Sequence, residues 1–386
     1  MSGEATSVVP GRRVAIVHDY LTEMGGAERV VGKLLDLLPE ARLHTSSFAP
    51  GTVDGSFAER GVSTTFLDRL AAQKERSKRL FPLFPLAFRS MRLAPADVVL
   101  SSSSGFAHHV RPPAGALHLC YCYSPPRFLW QPDEYFRGRP ALRASLSVVL
   151  AGMRAADVRA SARVHAYAAV SRYTGSRIGA TYGRPATVIY PPVEVERFRP
   201  STERSGRFLV VSRLLAYKRI DLAVEAANSA RLPLDVIGDG PERAALEKRS
   251  GPTVRFLGRL TDAQVGHAMA RCTALLMPGT EDFGMTAVEA QASGRPPIAF
   301  AAGGALESMT DGVSGFLARQ ATPESLGRQM LRASVTELGV EPLVASAARF
   351  SPAVFAVRLS AFLEAELERH RAGRPAPARY ASAAAE

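Results

Sequence analysis

Short runs of consecutive apolar residues alternate along this chain with longer stretches whose apolar positions recur at helical spacing. Val14-Ala15-Ile16-Val17 is a run of the first kind. After a Gly25-Gly26 loop, Val30, Val31, Leu34, Leu35 and Leu38 form one apolar stripe of a helix. Further strands are predicted at Asp97-Val98-Val99-Leu100, Leu117-His118-Leu119-Cys120 and Ala166-Tyr167-Ala168-Ala169-Val170, with helical pattern over 141–163. A second series follows at Phe208-Leu209-Val210-Val211, Leu234-Asp235-Val236-Ile237, Val254-Arg255-Phe256-Leu257, Ala274-Leu275-Leu276-Met277 and Ile298-Ala299-Phe300. Strands that are continuously apolar and separated by helices imply an α/β protein with parallel sheets covered on both faces.

Two series need a joint. Val188-Ile189-Tyr190-Pro191-Pro192-Val193 supplies one, because adjacent prolines continue neither a helix nor a central strand. The expected organisation is a unit over 1–190, a second over 191–350, a helical segment over 351–370 and an Ala/Pro/Arg-rich, disordered tail over 371–386. A chain of 386 residues suits two cores. Doubly wound sheets bind ligands at the carboxyl ends of their strands, so chemistry is sought there.

Composition changes this picture little. The hydrophobic share of 46% and charged share of 22% are ordinary for a globular protein. Met1 to Arg13 holds no signal-peptide core, and no uninterrupted apolar run reaches about 18 residues, so a cytoplasmic protein is expected. Cys120, Cys122 and Cys272 lack metal-ligand spacing and read as buried thiols. The 48 Lys+Arg against 36 Asp+Glu favour anionic partners. A nucleotide diphosphate and an acidic membrane leaflet both qualify; nucleic acid does not, for want of any base-reading module.

Glu281 and Glu289 stand out at those strand ends. Eight residues of helix advance about 12 Å and turn about 80°, so the two are no close acid/base pair within one helix. Glu281 is therefore placed on the loop after the Ala274–Met277 strand and Glu289 in the helix that follows. A loop carboxylate, the backbone N–H groups at a helix start over Phe283, Gly284, Met285 and Thr286, and a second carboxylate suit a sugar, a phosphate and a ribose in turn. An ordinary solvated helix with two glutamates is the alternative. Arg213 and Lys218 follow the first strand of the second unit, where a guanidinium fork and a compact ammonium match phosphate oxygens. Gly238, after the next strand, permits close approach of a base. Gly25 and Gly26 would admit a diphosphate, yet the third glycine of a dinucleotide fingerprint and the Lys-Ser/Thr of an NTPase loop are missing. No Asp-x-Asp pair or His/carboxylate cluster is evident, so neither metal nor cofactor is expected.

These residues line up with a known pattern. The chain resembles family 4 glycosyltransferases of GT-B fold over nearly its whole ordered length. The resemblance rests on His18-Asp19-Tyr20, Gly25-Gly26-Ala27-Glu28-Arg29, the stretch Tyr121 to Trp130, Ser171-Arg172, Arg177-Ile178, Tyr190-Pro191-Pro192-Val193, Ser212-Arg213, Tyr217-Lys218-Arg219, Glu281-Asp282-Phe283-Gly284, Ser293-Gly294-Arg295-Pro296 and Gly303 to Glu307. It implies two Rossmann-like domains facing a central cleft, with the segment from Pro352 to Glu368 crossing back to the first. It also implies a retaining, metal-independent transfer by front-face attack. Arg213 and Lys218 would hold the donor diphosphate, Glu281 the sugar hydroxyls and Glu289 the ribose, with Gly25-Gly26 behind the phosphates. The subgroup it looks like builds O-antigen and exopolysaccharide, which implies mannose from GDP-mannose and a lipid-linked saccharide or glycolipid acceptor. That subgroup often has histidine where this chain has Ser104, so His108 is the candidate active-site imidazole, ahead of His109.

Two other readings stay open: a nucleotide-sugar epimerase of the same fold, and a non-catalytic nucleotide-sugar-binding protein. The segment 69–92 combines Lys74, Arg76, Lys78 and Arg79 with Phe81, Leu83, Phe84, Leu86 and Phe88. It is read as a peripheral contact with an anionic membrane on the cytoplasmic face, or alternatively as a solvated basic helix followed by a core-packing strip. Pro82 and Pro85 forbid one long amphipathic helix there.

Overall fold

The computed structural model describes residues 8–70, 78–138 and 140–373. The tail from 374 onward, Lys74 and Arg76, and the side chains of Lys78 and Arg79 lie outside these residues. The chain divides into two compact units, one of residues 1–190 with 355–386 and one of 191–354.

In the first unit seven parallel strands run in the order β3-β2-β1-β4-β5-β6-β7. They are β1 (Val14–His18), β2 (Arg42–Thr45), β3 (Val62–Thr64), β4 (Val98–Ser103), β5 (Leu117–Cys122), β6 (Ala166–Ala169) and β7 (Ala186–Val188). β1, β4 and β5 are buried along their whole length. β4 runs three residues past its apolar stretch into Ser101-Ser102-Ser103. A buried polar strand end is tolerable only if its hydroxyls are bonded. Ser101 Oγ meets Ala107 O at 3.2 Å and His118 Nε2 at 2.8 Å, and Ser102 Oγ meets Tyr123 OH at 2.8 Å.

The helical stretch after β5 is two helices, Pro140–Ser145 and Ser147–Ser161. The helix Pro352–Arg371 buries Phe355, Leu359, Phe362 and Leu363, and from Phe355 onward it belongs to the first unit. Phe355 meets Tyr121 edge-on at 5.8 Å, and His370 Nε2 lies 3.0 Å from Gly115 O. By length and composition alone 340–371 is apolar enough to cross a bilayer. It breaks at Phe350-Ser351 between two helices, and its largest apolar side chains are buried.

The basic-apolar segment folds as a 3₁₀ turn, Lys78–Leu83, and a short helix, Phe84–Ser90. Its aromatic residues pack at least in part on the core. Phe88 is buried, and Phe81 and Phe84 pack on the same core against Phe128 and Phe106. One ring is buried and two are half-buried, and among the described residues of the segment Leu70, Leu83 and Leu86 are the exposed large apolar ones.

In the second unit six parallel strands run β10-β9-β8-β11-β12-β13. They are β8 (Phe208–Val211), β9 (Leu234–Ile237), β10 (Val254–Gly258), β11 (Leu275–Met277), β12 (Pro297–Phe300) and β13 (Phe316–Ala318). Pro297 opens β12, the position where a missing N–H does least harm to a ladder. Both sheets reverse their order of growth at one place, between β1 and β4 in the first and between β8 and β11 in the second. Loops leaving a sheet diverge at such a switch point and open a crevice beyond the strand ends.

Candidate active site

The switch point of the second sheet brings Lys218 and Glu281 together from 63 residues apart. Lys218 Nζ donates to Glu281 Oε1 at 2.7 Å and to Oε2 at 2.8 Å. The side chains are 20% and 23% exposed, so the pair is sheltered yet reachable from solvent. Lys218 ends a 3₁₀ turn, Ala216–Lys218, after β8. Arg219 then takes a left-handed conformation (φ 53°), uncommon for a non-glycine residue, which turns the chain sharply into the helix Ile220–Ala230. Glu281 stands on the loop between β11 and the helix Met285–Ala292, which carries half-buried Glu289.

That helix begins at Gly284 with φ 87°, and no side chain caps it. Its first N–H groups and the positive end of its dipole are open to an anion. Phe283 beside them is buried against Phe350 at 5.0 Å, while Met285 and Thr286 are half-buried. Gly238 sits after β9 at φ 130°, and a Cβ there would lie 1.8 Å from Ser212 O. Only glycine lets the two loops after β8 and β9 lie so close. Arg213, just beyond β8, is exposed.

At the first sheet's switch point the end of β1 is tied to the loop after β4. Asp19 accepts hydrogen bonds from the N–H groups of Ser104 (2.6 Å), Phe106 (2.7 Å) and Ala107 (2.8 Å). His18 Nδ1 lies 3.1 Å from Ser102 Oγ, and His18 Nε2 lies 3.6 Å from Glu28 Oε1. Burial by itself would lower the His18 pKa, but the hydrogen bond and charge of Glu28, with the charge of Asp19, outweigh it and raise it. Gly25 caps the helix Gly26–Leu37 in an extended conformation, and a Cβ on it would meet Glu28 Oε2 at 2.8 Å. Tyr123, from the end of β5, donates to Ala27 O at 3.1 Å. His18, Asp19, Glu28 and Tyr123 thus form a polar cluster at this strand edge. The sequence shows them only as separate short motifs, and spacing alone carries no signal that they meet.

His108 is not at that edge. It is buried in the first unit's interior, with its Nε2 3.0 Å from Asp157 Oδ1. A fully enclosed imidazole offers no proton to a bound substrate, so His108 is not placed to act as the active-site histidine expected from the sequence. His109 shares the cluster and donates to Asp157 Oδ1 at 3.0 Å, while Asp157 Oδ2 accepts from Trp130 Nε1 (2.7 Å) and Tyr182 OH (2.8 Å). Burial lowers the His109 pKa to about 4, only partly offset by Asp157. Burial would raise the Asp157 pKa, but the two imidazoles hold it below the usual carboxylate range. His108, His109 and Asp157 form a His/carboxylate cluster that the sequence conceals, their ligand atoms lying within 4.8 Å of one another. Three hydrogen bonds already occupy both carboxylate oxygens, so the group reads as a structural hub. Cys120, Cys122 and Cys272 are buried free thiols.

Residues 194–337 match the family model of glycosyl transferases group 1. An uncharacterized glycosyltransferase of Methanocaldococcus jannaschii is 30% identical over 168 residues, 42% of this chain and 47% of its own length. Glycogen synthase of Xanthomonas campestris pv. campestris is 30% identical over 275 residues, 68% of this chain and 52% of its own. The chain thus spans about half the length of the curated relatives it matches. Among solved structures, Anabaena HepE in complex with UDP covers 92% of this chain and 100% of its own at 16% identity, with a TM-score of 0.66. The architecture is the GT-B fold, two Rossmann-like domains each built on a parallel sheet.

Proposed function

We propose that this chain is a retaining, metal-independent glycosyltransferase that moves mannose from GDP-mannose onto a lipid-linked saccharide or glycolipid, working peripherally at the cytoplasmic face of a membrane. The observation that carries the reading is the Lys218–Glu281 pair at the second switch point, within the segment that matches group 1 glycosyl transferases. HepE, which shares the fold, has been solved with UDP and with UDP-glucose, which supports a nucleotide-sugar donor. The choice of mannose and of a lipid acceptor rests on the subgroup resemblance.

In this mechanism the donor's C1–O bond breaks with its electron pair passing to the diphosphate. Lys218, Arg213 and the open start of the helix Met285–Ala292 stabilise that charge. The acceptor hydroxyl attacks C1 on the same face, and its proton passes to the departing phosphate oxygen. Glu281 holds sugar hydroxyls once the donor diphosphate competes for Lys218, Glu289 accepts from the ribose, and Gly238 leaves room for the base. Each charge-assisted hydrogen bond contributes about 1.5–3 kcal/mol, more where water is excluded.

The test is a panel of labelled nucleotide sugars in EDTA, with and without polyprenyl-diphosphate-sugar acceptors. Acceptor-dependent transfer from GDP-mannose is expected. Transfer only with added divalent metal would remove the metal-independent mechanism, and conversion of a donor without acceptor would replace the reading with an epimerase.

A further inference from the structure

The first unit has a second cluster of cations, at the opposite edge of its sheet from the strand ends considered so far. Arg111 lies on the loop before β5, Arg163 and His165 before β6, and Arg184 before β7. Together with Pro112 and Val164 they line a cavity of about 540 Å³. The guanidinium groups of Arg163 and Arg184 are fixed but not neutralised, and Arg111 stands exposed beside them. Arg184 Nη2 donates to Val164 O (2.8 Å) and His165 O (2.9 Å), and Arg163 Nη2 to His109 O (3.2 Å). Carbonyl partners orient a fork and leave its charge intact. Arg163 Nε is buried with no acceptor. Burial first, then the like charges of Arg89 and Arg111, lower the Arg163 pKa. Among the described residues no carboxylate forms an ion pair with Arg111, Arg163 or Arg184; the nearby Glu366 is paired with Arg369.

A concave site with pre-oriented, uncompensated guanidiniums suits a small anion with several oxygens and more than one charge. We infer that the cavity bounded by Arg111, Arg163, His165 and Arg184 is a binding site for a phosphate group, separate from the donor site and reached from the amino edge of the first sheet.

The test uses the full chain carrying Arg213→Ala and Lys218→Ala, so that phosphate binding at the proposed donor site is silenced. Titration calorimetry follows inorganic pyrophosphate, and co-sedimentation follows phosphatidylglycerol against phosphatidylcholine vesicles. Arg111 is exposed and bonds to no other described residue, so Arg111→Glu leaves the fold intact. Pyrophosphate binding at least about tenfold weaker in Arg111→Glu, and largely kept in Arg111→Lys, is expected for a soluble phosphate ligand. Loss confined to phosphatidylglycerol vesicles supports the site with a lipid headgroup as its source. Unchanged or absent binding in both arms overturns the inference, whatever the sugar-transfer assay shows.

Discussion

Lys218 and Glu281 neutralise each other at 2.7 and 2.8 Å, so a diphosphate reaching the lysine must compete with a carboxylate already in place. This makes their substitutions asymmetric. Under the proposed mechanism Glu281→Ala removes the competitor and the contact with the sugar together. It is expected to reduce kcat about a hundredfold or more while donor affinity changes little. Under the same mechanism Lys218→Ala removes the charge that meets the diphosphate, so both kcat and donor affinity should fall. Steady-state kinetics with calorimetric titration of the donor separate the two; equal wild-type activity in either variant refutes the assignment. At Gly238 the argument is steric. A methyl group 1.8 Å from Ser212 O forces the loops after β8 and β9 apart, so Gly238→Ala should lower stability by about 3 kcal/mol or more in urea unfolding.

At the scale of elements, Asp157 joins the helix Ser147–Ser161 to three others at once. His108 and His109 come from a 3₁₀ turn, Trp130 from the short helix Arg127–Trp130, and Tyr182 from the helix Arg172–Tyr182. Asp157→Ala leaves those donors enclosed without an acceptor, at an expected cost of about 3–5 kcal/mol. Asp157→Asn keeps the shape and should cost less; thermal melting measures both. Because hydrogen bonds occupy both oxygens, EDTA should leave the melting temperature unchanged, and a drop would mean that a metal sits there.

This hub also marks the limit of reading the chain unaided. β1 and β8 are legible because each carries a run of apolar residues, Val14–Val17 and Phe208–Val211, that is buried almost throughout. β2 and β3 are not, since Arg42-Leu43-His44-Thr45 and Val62-Ser63-Thr64 are short and largely polar. The loop position of Glu281 follows from helix geometry, whereas its pairing with Lys218 depends on which strands are neighbours. Asp157 lies 48 residues from His109, and only the packed helices bring them together.

For the whole molecule, buried histidines set the response to acid. Burial lowers the His109 pKa to about 4 and the His118 pKa to about 3. The unfolded chain takes up protons near pH 6.5 while the folded one resists, so stability falls as pH drops from about 7 to 4. At ~1.4 kcal/mol per pH unit, His109 alone contributes on the order of 3 kcal/mol. His18 works in the opposite sense, because its raised pKa supplies stability below about pH 6.5 that fades as pH rises through the folded value. Urea midpoints across pH 4–7 should show the decline, and His109→Gln should flatten it.

The helix Pro352–Arg371 has one more consequence, in time rather than space. Because Phe355, Leu359, Phe362 and Leu363 complete the core of the first unit, that unit cannot finish folding when its first 190 residues have left the ribosome. The second unit, continuous from 191 to 354, has all its parts earlier. The usual order, in which the N-terminal domain matures first, is reversed here. In released chains truncated just past 354, brief proteolysis should therefore spare the second unit and cut the first, and the first should gain protection only in chains that extend through the helix to Arg371.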